Sequence, residues 1–524
     1  MAETATAQAG QVRPNIRAVL PGLMMAILLA MLDNVIVGTA MPRIVEELGG
    51  VNHLSWVVTA YVLGTTVSTP IWGKLGDLYG RKTVFITSVV LFLAGSTLCG
   101  MAQDMPQLIG FRAFQGLGAG GLLVGAMAII GDLVPPRERG KYQGQMAGIM
   151  AVAMIGGPLV GGFITDNADW RWAFFVNLPI GGIALVLLLL KLHLPKYRTE
   201  HRIDWLGAAL LSVGITALVL ITTWGGTQYQ WASRQILGLA ALALVTLLVF
   251  AFVERRHPEP ILPLGVFRNR NFSLVAGIGF MVGFAMFGAI TFLPLYQQTV
   301  QGQSATNSGL LLLPMMGGLL ITSIAVGRAI TNTGRYRMYP IAGGVIMLLG
   351  MYLLSRLDAD SSTLESGIYM AVLGLGMGFL MQTTMLIAQN SVEQRDLGVA
   401  SSTATFSRSI GGAFGVALFG AIFSHRLSAY LTERFGQQAA DEMSSGGGAR
   451  SIGPTTLDTL PPQVRDGVVQ AIATATSSVF FWAMIVTIVV PVLAVFVREV
   501  ALRGHDDPPS QGATDELTEP AVSM

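Results

Sequence analysis

Apolar runs of helix-spanning length recur from one end of this 524-residue sequence to the other. About 20 apolar residues in helical conformation reach across the roughly 30 Å hydrocarbon core of a bilayer, and one soluble core cannot absorb many such runs. Fourteen are delimited here, at 18–41, 54–72, 83–102, 107–130, 142–164, 173–192, 205–223, 236–253, 272–293, 309–330, 339–357, 364–388, 398–423 and 471–497. Charged residues make up only 12% of the chain, against about 25% in a soluble domain. The expected class is an all-α membrane protein with 14 transmembrane helices. The run 18–41 is too long for a signal-peptide core, carries Asp33, and ends in Met41-Pro42-Arg43 without a small-x-small cleavage site, so it reads as a retained span.

The basic residues orient these spans. With the amino terminus inside, eight of the 32 Lys and Arg (Arg43, Arg171, Arg234, Arg356, Arg426, Arg434, Arg450 and Arg465) fall in outer segments. Arg112 and Arg408 fall within runs and the rest lie in inner segments, which places both termini in the cytoplasm of a multi-pass cell (inner or plasma) membrane protein. The net charge of +2, spread between runs, gives no footprint for nucleic acid. Cys99 stands alone, so no intramolecular disulfide forms.

Internal repeats divide the chain. Gly73, Gly80 and Arg81 recur as Gly327, Gly334 and Arg335, an offset of 254 that also carries Gly157, Pro158 and Gly161 onto Gly411, Gly412 and Gly415. Gly116-Leu117-Gly118 and Gly374-Leu375-Gly376 correspond at 258, as do Arg137 and Arg395, and Gly140 and Gly398. Two six-helix bundles of the same orientation follow, as parallel transporter repeats require. They are expected over 18–192 and 272–497, with two inserted transmembrane helices over 205–253. Residues 1–17 read as a cytoplasmic N-terminal segment, 424–470 as a long external loop, and 505–524 as a disordered cytoplasmic tail.

The turn after the second run, Gly73-Lys74-Leu75-Gly76-Asp77-Leu78-Tyr79-Gly80-Arg81-Lys82, follows G-x-L-x-D-x-x-G-R-K. Gly73, Gly76 and Gly80 allow a tight turn beside neighbouring helices. That leaves Asp77 free to sit at a helix amino terminus, with Arg81 and Lys82 as partners. In the fifth run, Gly157-Pro158-Leu159-Val160-Gly161-Gly162 removes a backbone hydrogen bond at Pro158 and offers Gly157, Gly161 and Gly162 as a groove for a close neighbour.

These motifs, with Leu32–Pro42, the arginine-bearing Leu108–Gly116 and Trp170–Gly181, are similar to those of the major facilitator superfamily. Within it, the chain to about residue 500 resembles the 14-spanner drug:proton antiporter family (the EmrB/QacA subfamily). The resemblance implies the major facilitator fold. It also implies that the Gly73–Lys82 loop latches the cytoplasmic gate, its carboxylate facing the start of span thirteen, and that Gly157–Gly162 is the antiporter motif. Thr331 stands where the second repeat should have its carboxylate, so the latch belongs mainly to the first copy.

Charge inside a bilayer is costly unless paired or hydrated, and so points to chemistry. Only Asp33, Arg112 and Arg408 lie well inside the runs. Asp33 and Arg112 fall in the same outer half and come within reach if their helices are neighbours. Asp33 then either alternates between pairing with Arg112 and holding a proton, or forms a permanent structural ion pair with it. Asp132 and Asp166, at the membrane edge, are the alternative carriers. Arg408, near the midplane, either attracts an anionic substrate group or pairs conformationally towards the cavity. Asn34, Gln115 and Gln382 are further cavity candidates. The methionines would make that cavity pliable, or would simply pack.

No G-x-x-x-x-G-K-[S/T] occurs, so no ATP-driven mechanism is encoded. All six histidines lie in loops or at run ends, so no metal and no cofactor is expected, and no catalytic constellation suggests an enzyme. The expected function is proton-coupled efflux of amphipathic small molecules, drugs or antibiotics, by a monomer in the lipid bilayer. The alternatives are a dedicated exporter of one endogenous metabolite or lipid, and a non-transporting sensor or scaffold, which would be free to lose Asp33 and Asp77.

Overall fold

The computed structural model describes residues 16–48, 54–192, 204–225, 229, 232–257, 260–262, 264–303, 305–393, 396–436, 461–500 and 502. Most of the expected N-terminal segment, the middle of the expected external loop, and the expected C-terminal tail lie outside the described residues.

Among the described residues, seventeen α-helices run in order: α1 (Ile16–Leu48), α2 (Leu54–Tyr79), α3 (Arg81–Gly100), α4 (Met105–Leu133), α5 (Pro136–Asn167), α6 (Trp172–Phe175), α7 (Asn177–Lys191), α8 (Trp205–Trp224), α9 (Arg234–Glu254), α10 (Arg270–Thr299), α11 (Ala305–Leu310), α12 (Leu313–Thr333), α13 (Met338–Leu354), α14 (Thr363–Asn390), α15 (Leu397–Phe435), α16 (Pro462–Thr487) and α17 (Val489–Val495). Side-chain caps fix several starts by accepting an otherwise orphaned N–H. Asp104 takes the Gln107 N–H at 2.8 Å ahead of α4, and Asp204 takes that of Gly207 at 2.7 Å ahead of α8. Glycines at positive φ separate two pairs of helices: Gly80 (φ 93°) between α2 and α3, and Gly334 (φ 70°) between α12 and α13. The repeat aligns these two glycines with one another.

Counting α6 with α7 and α16 with α17, eleven helices among the described residues are long and apolar enough to cross a membrane. Three other expected runs are helical without meeting that standard. At 17 residues, α13 is short, whereas α2 and α5 are long but more polar. In α2 the polarity is absorbed locally: Thr66 donates to the Val62 carbonyl at 2.8 Å and Thr69 to that of Thr65 at 2.6 Å. A hydroxyl that bonds to its own helix leaves an exterior as apolar as lipid requires.

The packing of the first seven helices is repeated by the later ones. As α1 packs on α5, α10 packs on α15; α2 and α3 pack on α4, and α12 and α13 pack on α14. The glycines set the contacts. A Cβ on Gly116 would strike the Tyr61 carbonyl of α2, and one on Gly374 would strike the Met315 carbonyl of α12. Two seams join the groups, α5 against α12 and α2 against α15. The pair α8–α9 packs on itself, and α8 rests on both α2 and α15. Leu237, Leu244, Leu248 and Phe252 of α9 are exposed, as on a lipid-facing surface.

Candidate functional site

Asp33 of α1 and Arg112 of α4 are both fully buried, and Arg112 Nη1 donates to Asp33 Oδ2 at 2.5 Å. The other carboxylate oxygen, Oδ1, accepts Gln115 Nε2 at 2.9 Å and Asn177 Nδ2 at 2.7 Å. Gln115 Oε1 in turn accepts Arg112 Nη1 at 2.9 Å, and Ser96 Oγ accepts Asn177 Nδ2 at 2.9 Å. The guanidinium lies 4.1 Å from the ring centroid of Tyr61, whose hydroxyl donates to the Ala30 carbonyl at 3.0 Å. Helices α1, α4 and α7 thus meet on one carboxylate, with α3 holding Asn177 through Ser96 and α2 adding the ring. Close packing makes this possible, because Gly95 leaves no room for a Cβ beside Gln115. The cluster is not saturated, since Arg112 Nη2 and Asn177 Oδ1 are buried without a hydrogen-bond partner.

The sequence foresaw Asp33 and Arg112, but assigned Gln115 to a cavity; the structure makes it part of the carboxylate's shell. Asn177 and Ser96 were missed, because an amide and a hydroxyl near run ends carry no charge to mark them. Asn177 does fall in Trp170–Gly181, one of the motifs behind the family resemblance, and that was its available signal. The same motif grips α1 at its far end: Trp170 Nε1 donates to Glu47 Oε2 at 2.8 Å, and Arg171 Nη1 lies 2.5 Å from Glu47 Oε1.

At the opposite end of α2, Asp77 crosses to the start of α15, where its oxygens accept the N–H groups of Gly398 at 3.1 Å and Val399 at 2.9 Å. Arg81 Nη2 bonds the same carboxylate at 2.9 Å, while Arg81 Nη1 pairs with Asp132 at 2.9 Å and donates to the Ala128 carbonyl at 2.7 Å. Lys82, expected as a second partner, instead donates to the Leu189 carbonyl at 3.1 Å. Gly73 and Gly398 bring the helices together, since a Cβ on Gly73 would lie 2.8 Å from the Gly398 carbonyl. Gly76 meets nothing tighter than Arg81 Cγ at 3.8 Å, so its space is not what closes this approach. Burial pushes the Asp77 carboxyl up to about 6, against the opposing pull of Arg81 and the two N–H groups.

The expected groove on α5 is narrower than the motif suggests. A Cβ on Gly157 would strike Val35, and one on Gly161 would strike Thr39 and Ile36, all on α1. Gly162 is a correction: a Cβ there would meet nothing within 4 Å, because it lies off the face turned to α1. The Pro158 side chain lies outside the described residues. Of the remaining candidates, Asn34 is half-buried, Gln382 is buried in α14, and Arg408 is half-buried in α15; none joins the Asp33 cluster. Among the described residues no group of acidic, histidine and cysteine side chains could hold a metal ion.

The family model described as "Major Facilitator Superfamily" matches residues 23–416. An uncharacterized MFS-type transporter of Mycobacterium tuberculosis is 41% identical over 497 residues, covering 95% of this chain and 71% of the relative. Multidrug resistance protein 3 of Bacillus subtilis is 35% identical over 492 residues, covering 92% and 95%. Among solved structures, the human organic anion transporter MFSD10 superposes with a TM-score of 0.59 at 14% identity, covering 90% of this chain and all of that one. At that identity the likeness concerns the fold alone.

Proposed function

The chain belongs to the major facilitator superfamily, and on that premise we propose that it is a proton-coupled exporter of amphipathic small molecules. Proteins of this family are transporters of small molecules and not enzymes, and the chain is a multi-pass membrane protein with the family's all-helical fold. The finer reading is a 14-spanner of the EmrB/QacA type. It has six-helix bundles over 18–192 and 272–497, two inserted helices over 205–253, and both termini in the cytoplasm. The helical state of α2, α5 and α13, and the multidrug relative, support it.

The observation that carries the coupling is the set of contacts on Asp33. Arg112, Gln115 and Asn177 all reach it with donors, and the ionised carboxylate has acceptor sites for all three. Movement of α1 against α4 and α7 withdraws those donors together and leaves Asp33 free to take a proton. Proton binding and helix position are then alternatives, which is the requirement for antiport. One proton crossing 100 mV yields about 2.3 kcal/mol, enough for a roughly fiftyfold gradient of a neutral solute. The Asp77 contact with Gly398 and Val399 closes the cytoplasmic ends of α2 and α15 in this arrangement, so release of the latch opens the inner gate.

The test is proton-gradient-driven transport in proteoliposomes of wild type and Asp33→Asn at equal incorporation. Uphill export and substrate-induced proton release are both expected to vanish in the variant. Undiminished concentrative transport by Asp33→Asn would return the cluster to a structural ion pair.

A further inference from the structure

Arg408 sits eleven residues into α15, about 16 Å along the helix axis from its start, close to the half-thickness of a hydrocarbon core. A guanidinium at that depth is expensive and is normally paired. Among the described residues Arg408 makes no hydrogen bond, ion pair or ring contact. The other two charges well inside the spans, Asp33 and Arg112, neutralise one another. Among the described residues, Arg408 is therefore the charge well inside the spans that has no opposite partner.

Its position on α15 is not a lipid-facing one. The backbones of α10 and α15 touch at this residue, where a Cβ on Gly283 would strike the Arg408 carbonyl. Ser401, Thr405 and Arg408 follow one another at helical spacings of four and three, on one face. At the near end of that face, Ser401 Oγ accepts Gln389 Nε2 of α14 at 2.9 Å, so the face looks inward between α10 and α14. One turn before Arg408, the Thr405 hydroxyl is buried and has no hydrogen-bond partner. Threonines in these helices commonly satisfy themselves on a carbonyl four residues back, as Thr383 and Thr384 of α14 do. Thr405 does not.

We propose that Arg408 and Thr405 form a recognition point for an oxyanion bearing a single negative charge, and that the molecules carried are amphiphiles with such a headgroup. A guanidinium presents planar donors matched to a carboxylate or phosphodiester, and the hydroxyl adds one more. One negative charge brings the central charges to zero, whereas a cation would add to Arg408's field in a low-dielectric setting. This deepens the efflux reading by naming the substrate class, yet binding at the site needs no proton gradient and can be judged apart from transport.

The test uses three probes sharing one aromatic body: naphthylacetate, naphthylacetamide and naphthylmethyl-trimethylammonium. Equilibrium dialysis at pH 7.5 measures their binding to the full-length protein in phosphatidylcholine nanodiscs. Naphthylacetate should bind most tightly and the cation least. Arg408→Gln should weaken naphthylacetate at least about tenfold and leave the neutral amide unchanged, while Arg408→Lys retains part of the preference. Thr405→Val, which removes an unpartnered hydroxyl and so should not lower thermal stability, should weaken naphthylacetate a few-fold. Adding phosphatidylglycerol distinguishes the sources: competition that depends on Arg408 supports the oxyanion site with lipid as its occupant. Equal binding of cation and anion by the wild type, or unaltered naphthylacetate binding by Arg408→Gln, overturns the proposal. Loss of transport in Asp33→Asn with anion selectivity intact leaves it standing.

Discussion

Asp77 accepts the N–H of Val399 at 2.9 Å, joining the end of α2 to the start of α15 across 322 positions of sequence. The contact is made by a carboxyl that burial raises from 3.8 to about 6. The closed end therefore binds a proton more tightly than a released, hydrated Asp77 would.

The sign of the pH dependence follows. Acidification favours the latched arrangement, beginning as pH falls through about 6 and levelling off below 3.8. Between pH 7.5 and 5.5 the ratio of latched to open molecules should rise about fourfold. Distances between spin labels at Tyr79→Cys and Glu393→Cys, both exposed positions, would report the two populations. In Asp77→Asn the ratio should no longer depend on pH. A wild-type population that opens on acidification would refute the assignment.

Asn177→Ala should weaken the hold on Asp33 while leaving the Arg112 contact in place. Removing one hydrogen bond to a buried carboxylate costs about 1–3 kcal/mol. Proton-driven transport should fall several-fold without the complete loss expected for Asp33→Asn. The double variant should behave as Asp33→Asn alone, since both act through one carboxylate.

Gly161→Val places methyl groups where Thr39 and Ile36 of α1 already stand. Overpacking of this kind costs about 1–3 kcal/mol, and a lowered melting temperature in detergent would show it. Gly162→Ala, facing open space, should melt with the wild type. Equal melting of all three proteins would mean that α1 and α5 do not need the groove.

Orientation can be read by labelling from outside sealed cells in a Cys99-free background. A membrane-impermeant thiol reagent should modify Leu364→Cys, at the outer start of the span expected at 364–388, and should leave Tyr79→Cys untouched. Both positions are exposed, so accessibility of the side chain does not decide the result. Modification of Tyr79→Cys alone would invert the proposed topology.

Much of this arrangement was legible because membrane helices leave few ways to hide polarity. Two opposite charges within long apolar runs had to find each other, and Asp33 and Arg112 do. The offset glycines were legible for a similar reason: Gly116 and Gly374 mark places where only hydrogen fits. The facing of a neutral residue was not legible. Gln115 reads equally well as cavity lining or as support, and three-residue spacing from Arg112 only becomes informative once α1 is known to lie beside α4. Gly162 follows Gly161 directly in sequence, yet successive helical residues point about 100° apart, and only one of them meets α1.

The rest of α8 on both α2 and α15 has a consequence for how a solute dissolved in lipid could reach the interior. The repeat relates the two flanks by a twofold in helix order, but the inserted pair covers one of them. A molecule partitioned into the bilayer meets a covered flank at α2–α15 and a flank at α5–α12 that the pair leaves uncovered. The lipid-facing surface of the scaffold thus lacks the twofold that its internal repeat has.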